Sequence, residues 1–111
     1  MQTLKNMPFA QAFELNGLID YRGHRIVSLA LSAADHADLV LFAMDRGESI
    51  SAEFSSGLEL IAVLEGSLQI SIGADTFTVG KGGFVAVPPL ASHAVKAAER
   101  CKFLQIGIGG P

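Results

Sequence analysis

The stretch GESISAEFSSGLELIAVLEG, Gly47 to Gly66, and the later GGFVAVPPLASHAVKA, Gly82 to Ala97, decide the fold of this chain. In and around them, short β-rich runs are cut by SSG, EGS, GAD, GKGG and PPLAS, residue types that favour turns. Between the two segments, Leu68-Gln69-Ile70-Ser71-Ile72 and Thr76-Phe77-Thr78-Val79 alternate apolar with polar residues. Period-two alternation gives a strand one apolar and one polar face, as in a half-buried antiparallel sheet. Reading outward, strands are predicted at Arg25–Leu31, Leu39–Met44, Ile50–Phe54, Leu58–Leu64, Leu68–Ile72, Thr76–Val79, Phe84–Val87, His93–Lys96 and Lys102–Ile108. Many short strands with Gly and Pro punctuation predict an all-β sandwich or barrel. Helical patterning is nearly absent. One short helical turn is expected near Pro8 to Phe13, with Asn6 as its cap. The VLEG turn calls for a positive φ at Gly66.

Composition sets the bounds. The chain has 111 residues, 50% hydrophobic and 17% charged, with net charge -3. One domain is expected at that length, and two separate folding units are excluded. So much apolar surface excludes intrinsic disorder. The eight Lys and Arg residues are scattered, so no basic stripe exists to meet a nucleic-acid backbone. Cys101 is the single cysteine and can form no internal disulfide, which fits a reducing compartment. The N-terminus lacks a signal-peptide core, and no apolar run reaches membrane-spanning length. A cytoplasmic protein without membrane contact is expected.

Three strands, LVLFAM, LELIAVL and FVAVP, are apolar on both faces. A barrel's own core covers only one of those faces. The other packs on a twin subunit in a symmetric homodimer, or an N-terminal arm folds over it. The expected division is an arm over residues 1–24 and one barrel over 25–111. Residues 58–79 and 84–108 read as two hairpin-like blocks, candidate halves of that barrel.

From Gly47 to Ala97 the sequence resembles the cupin superfamily. The first cupin motif has Gly, His-x-His, Glu and Gly at set spacings. Here Gly47, Glu59 and Gly66 match, while Glu53 and Ser55 hold the two histidine positions. In the second motif Gly82, Pro88 and His93 match, with Leu90 in place of Gly and Ala97 in place of Asn. The resemblance implies a jelly-roll barrel of two antiparallel sheets, with a pocket at its open end. By strand periodicity Ser51, Glu53 and Ser55 share one face. Along the last strand Lys102 should meet water, while Phe103 and Gln105 face the interior. Glu53, Glu59, His93, Phe103 and Gln105 are the candidate ligand-binding residues.

In metal-binding cupins both first-motif histidines, the Glu and the second-motif His surround a divalent ion. That family property implies at most a weak site here, of Glu53, Glu59 and His93, or no metal at all. Without metal, inward carboxylates need another partner, since a buried charge must be paired or neutralised. Crowding would raise one of their pKa values and suit it to acid–base work with His93.

Other candidates have bland alternatives. His24 between Arg22 and Arg25 could bind an anion, but reads as a solvated turn. Asp35, His36 and Asp38 could ligate a metal, but read as a polar loop. Cys101, flanked by Arg100 and Lys102, could be a nucleophile, but reads as a passive thiol. Three functions remain open from sequence: a stand-alone cupin binding a small organic molecule, an isomerase, epimerase or dioxygenase using Glu59 and His93, and a scaffold whose barrel is filled. Fold alone does not choose among them.

Overall fold

The computed structural model describes residues 4–32 and 37–109. Nine strands form among them. They are β1 Ile26–Ala30, β2 Ala37–Met44, β3 Ser49–Glu53, β4 Leu58–Glu65, β5 Ser67–Ile72, β6 Asp75–Gly80, β7 Phe84–Val87, β8 His93–Ala97 and β9 Cys101–Ile108. They build two sheets, one ordered β1-β2-β9-β4-β7 and the other β3-β8-β5-β6. Every pairing is antiparallel. Each expected strand is present, with ends shifted by one or two residues. The two blocks are not halves, however. Residues 58–79 and 84–108 each give strands to both sheets, because β4 pairs with β7 and β9 while β5 pairs with β8. Such non-local pairing leaves no local signature.

Alternation then sorts the side chains. Met44, Ile61, Val63, Leu68, Ile70, Val87, Val95 and Phe103 point between the sheets and form the inner core. Phe42 stacks on Phe103 with ring centroids 4.9 Å apart. Such a pair adds about 0.5–1.5 kcal/mol beyond its buried area. Leu41, Ala43 and Leu104, on the opposite faces of β2 and β9, form a second apolar layer with Leu31 and Ile19. Leu15, Leu18 and Tyr21 pack against that layer. The N-terminal arm therefore covers this part of the outer face, the second of the two arrangements left open by the sequence.

Polar bonds fix the arm. The Tyr21 hydroxyl donates to Glu65 Oε2 at 2.6 Å, and Asn16 Nδ2 donates to Glu65 Oε1 at 2.9 Å. Lys102 Nζ donates to the Asn16 carbonyl at 2.6 Å. Lys102 is therefore buried at 8% exposure, not in water as its outward register suggested. A register shift between Val63 and Glu65 sets Glu65 opposite Lys102. The expected helical turn at 8–13 is also absent. Those residues run as bends, and a short 3-10 turn lies at Leu15–Leu18 instead. Asn6 caps nothing; its side-chain amide donates to the Ala30 carbonyl at 2.7 Å and ties the arm to β1.

Gly66 turns β4 into β5 at φ +77, as its sequence context required. A Cβ there would stand 1.8 Å from the Arg100 carbonyl oxygen, so packing as well as φ demands glycine. No helix among the described residues is long and apolar enough to cross a membrane.

Candidate functional site

Cross-strand partners face the same side of a sheet. At one end of the five-stranded sheet the paired row is Asp38, Gly107, Glu59, Val87. At the same end of the facing sheet the row is Glu53, His93, Ile72, Asp75. The next row inward, Val40, Gln105, Ile61, Val85, closes over the apolar core. The barrel mouth thus carries Glu59 and His93 on opposing walls, with Asp38, Glu53 and Gln105 around them.

Local sequence explains each placement. Glu59 shares its face of β4 with Ile61 and Val63, so the register that buries those two turns Glu59 inward. His93 opens β8 on the face of Val95 and Ala97. Gly107 supplies space: a Cβ there would lie 3.4 Å from each Glu59 carboxylate oxygen and 3.7 Å from Asp38 Cβ. The Glu59 carboxylate leans into the gap that the missing side chain leaves.

The electrostatics follow. Burial raises the Glu59 carboxyl above its ordinary pKa, and the charges of Asp38 and Glu53 push the same way. Attraction from His93 and hydrogen bonding from Gln105 oppose the rise. His93 is 5% exposed, and its Nδ1 is buried without a hydrogen-bond partner. A buried polar atom left unpaired costs about 1–3 kcal/mol.

The rim is apolar. Phe54 and Leu90 are each 71% exposed. Their loops are joined, since the Leu90 N–H donates to the Ser55 carbonyl at 2.8 Å. Leu90 stands at φ +66, where the resembling motif has glycine. Holding a bulky residue there costs on the order of 1–3 kcal/mol.

Several expected residues fall elsewhere. Phe103 is fully buried in its stack with Phe42, beneath the mouth rather than in its wall. The expected common face of Ser51, Glu53 and Ser55 does not form: a register shift in β3 puts Glu53 on the face of Ile50, opposite His93 and Val95, and Ser55 lies beyond the end of the strand. Its hydroxyl accepts from the Gly57 N–H at 3.1 Å and closes a local turn. Glu53 is exposed at the rim, brought opposite His93 by an irregularity in β3. Asp38, read from sequence as loop, sits on β2 on the face of Phe42 and Met44. The signal was present in the alternation Asp38, Val40, Phe42, Met44. Asp35 and His36 lie outside the described residues. His24 is an exposed turn residue at φ +58 whose N–H donates to Asp45. Cys101 is fully buried, and burial pushes its thiol up to about 11.

A metal finds a poor donor set. One first-motif position holds Ser55, whose hydroxyl is engaged in its turn, and the other holds the exposed Glu53. Among the described residues no three His, Cys, Asp or Glu side chains stand close enough together to hold an ion.

Comparison with known proteins agrees with this architecture. The family described as "Cupin domain" matches residues 40–107. A solved cupin superfamily protein from Desulfitobacterium hafniense is 31% identical, with a TM-score of 0.92 over 96% of this chain and 97% of that one. A conserved protein of unknown function from Streptococcus pyogenes has a TM-score of 0.94 at 22% identity, covering 100% of this chain and 97% of the other. A cupin 2 conserved barrel domain protein from Leptotrichia buccalis, at 29% identity and TM-score 0.83, matches 87% of this chain with 47% of its own length. No curated protein matches the sequence. On the match spanning more than half its length and the fold it shares, this chain belongs to the cupin family.

Proposed function

We propose that this cupin binds a small organic molecule in its barrel mouth, between Glu59 and His93. One observation carries the reading. His93 is almost wholly enclosed with Nδ1 unpartnered, on the wall facing a carboxylate that leans into the gap at Gly107. Polar groups converging in an otherwise apolar cup are what a small-molecule site requires. Glu59 and Gln105 are the wall contacts, and Glu53 and Asp38 stand at the entrance. The test is a fragment screen followed by backbone-amide NMR. Fragments should shift Glu59, His93 and Gln105 in the native chain and fail to do so in Gly107→Leu, which fills the gap. Shifts that persist in Gly107→Leu would place the site elsewhere.

A second reading has its own support. A carboxyl held above its ordinary pKa beside an imidazole is equipped to move a proton. In that case a bound ligand in D2O would take up deuterium at carbon, and Glu59→Gln would abolish the uptake. Absence of exchange leaves binding alone.

We also propose a homodimer through the part of the outer face that the arm leaves uncovered. Phe84 and Ile108 pair with outward-facing Ala62 and Leu58, and remain 58% and 45% exposed. Sedimentation should show a concentration-dependent dimer that Phe84→Glu weakens. A monomer at every concentration would remove this part of the proposal.

A further inference from the structure

Among the described residues, the acids at the mouth of this barrel lack the cationic partners that acids toward its other end have. Asp38, Glu53 and Glu59 gather at the mouth. Arg46 and Lys96 line an open hollow of about 340 Å³ with Gly47, Gln69 and Ala97 at the far end. Arg100 pairs with Asp45, and Lys102 with Glu65, also toward that end. These are the ion pairs found among the described residues, and none involves a mouth carboxylate.

Two further observations bear on the same mouth. His93 Nδ1 is buried and unpartnered. Leu90 is held at a positive φ while 71% exposed, so the fold retains a strained apolar side chain that its own packing does not use. Phe54 is equally exposed on the adjoining loop. A ring at that place offers a face to a cation as well as apolar surface.

Resting on the reading of the mouth as a binding site, we propose that its ligand is an organic cation with an apolar body: an ammonium, amidinium or guanidinium group bearing an alkyl or aryl substituent. The charged end meets the half-buried Glu59 carboxylate, with Asp38 and Glu53 in the rows around it, and none of the three is in a salt bridge among the described residues. The apolar body rests against Phe54 and Leu90 at the rim. Burial strengthens the attraction at Glu59, because field lines there pass through protein rather than water. An anion would meet three carboxylates, and a neutral polyol would leave the rim without a partner.

The test uses three probes of one shape, benzylamine, benzyl alcohol and benzoate, titrated into the full chain and followed by backbone-amide shifts. Benzylamine should shift Glu59, His93 and Leu90 and bind at least tenfold more tightly than the other two. Leu90→Gly should weaken benzylamine about tenfold without lowering the melting temperature, because glycine accepts the positive φ. Glu59→Gln should weaken it to a similar degree and leave benzyl alcohol unchanged. If benzyl alcohol or benzoate binds the mouth as tightly, the ligand class is overturned while the mouth remains a site. If Leu90→Gly binds benzylamine like the native chain, the apolar rim is overturned. If none of the probes and no screened fragment shifts the mouth, the site itself falls, and this proposal with it.

Discussion

The Glu59 carboxylate lies against Gly107, with both oxygens 3.4 Å from where a Cβ would stand, so a side chain longer than alanine would run into it. The two residues are direct partners across β4 and β9. An acid is thus bent over a glycine at the end of an apolar barrel, opposite a buried histidine. Gly107→Ala fits at ordinary contact distance and should change stability by less than about 1 kcal/mol. Gly107→Leu cannot fit without moving Glu59. It should retain the fold by circular dichroism while the Glu59 amide shifts strongly by NMR. An undisturbed Glu59 in Gly107→Leu would contradict the geometry.

Gly66 makes a stricter demand. Any Cβ there overlaps the Arg100 carbonyl, which is backbone and cannot swing aside. Gly66→Ala should lose about 3 kcal/mol or more in urea denaturation, with the positive φ adding strain. A loss below about 1 kcal/mol would refute the close approach.

The arm's clasp sets an acid limit on stability. The hydrogen bond from Tyr21 holds the Glu65 carboxyl below its ordinary range, helped by Asn16 and Lys102. Arg100 and the His24 and Arg46 amides hold Asp45 down at about 2. Both groups are depressed in the folded state. Their contribution is therefore full above the unfolded carboxylate range and is lost as pH falls through the folded values. Melting temperature should drop between about pH 4.5 and pH 2. Tyr21→Phe should cost about 1–3 kcal/mol at pH 7 and make that drop shallower. An equally steep drop in the variant would show that the clasp is not its source.

Glu59 behaves in the opposite sense. Its carboxyl is raised, chiefly by burial, so the folded state prefers the protonated form. It stabilises most below the unfolded carboxylate pKa, and that advantage is lost as pH rises through the folded value. Glu59→Gln should therefore raise the melting temperature at pH 7 and not at pH 4. A lower melting temperature at pH 7 would mean that the ionised carboxylate supports the fold.

Cys101 should be inert. Its side chain is fully enclosed and its thiol is pushed up to about 11 by burial. A disulfide reagent at pH 8 should label it only at the rate of unfolding. Prompt labelling would require the core between the sheets to open in the native state.

The strands were legible because their signals are local. Alternation and Gly or Pro punctuation marked all nine, and the positive φ of Gly66 was visible in VLEG. Lys102 was not legible. Its burial depends on Asn16, 86 residues away in sequence, and on Glu65 across a register shift. Ser55 was misplaced because a strand extrapolated past Glu53 hides the turn that Gly57 closes. Asp38 was missed because two aspartates and a histidine in SAADHAD read as loop, although the alternation through Met44 already put it inward. Glu59 and His93 could be named from sequence. Their placement at the same end of two facing sheets depends on long-range topology, which no local pattern encodes.

If the mouth binds a ligand as proposed, Glu59 and His93 form one open site. The most direct measurement is a crystal structure of the protein soaked with benzylamine, at a resolution that shows the ring. Density is expected between Glu59 and His93, with the amine within hydrogen-bonding distance of the Glu59 carboxylate. A mouth packed shut by its own side chains, or Glu59 and His93 turned away from each other, would contradict it.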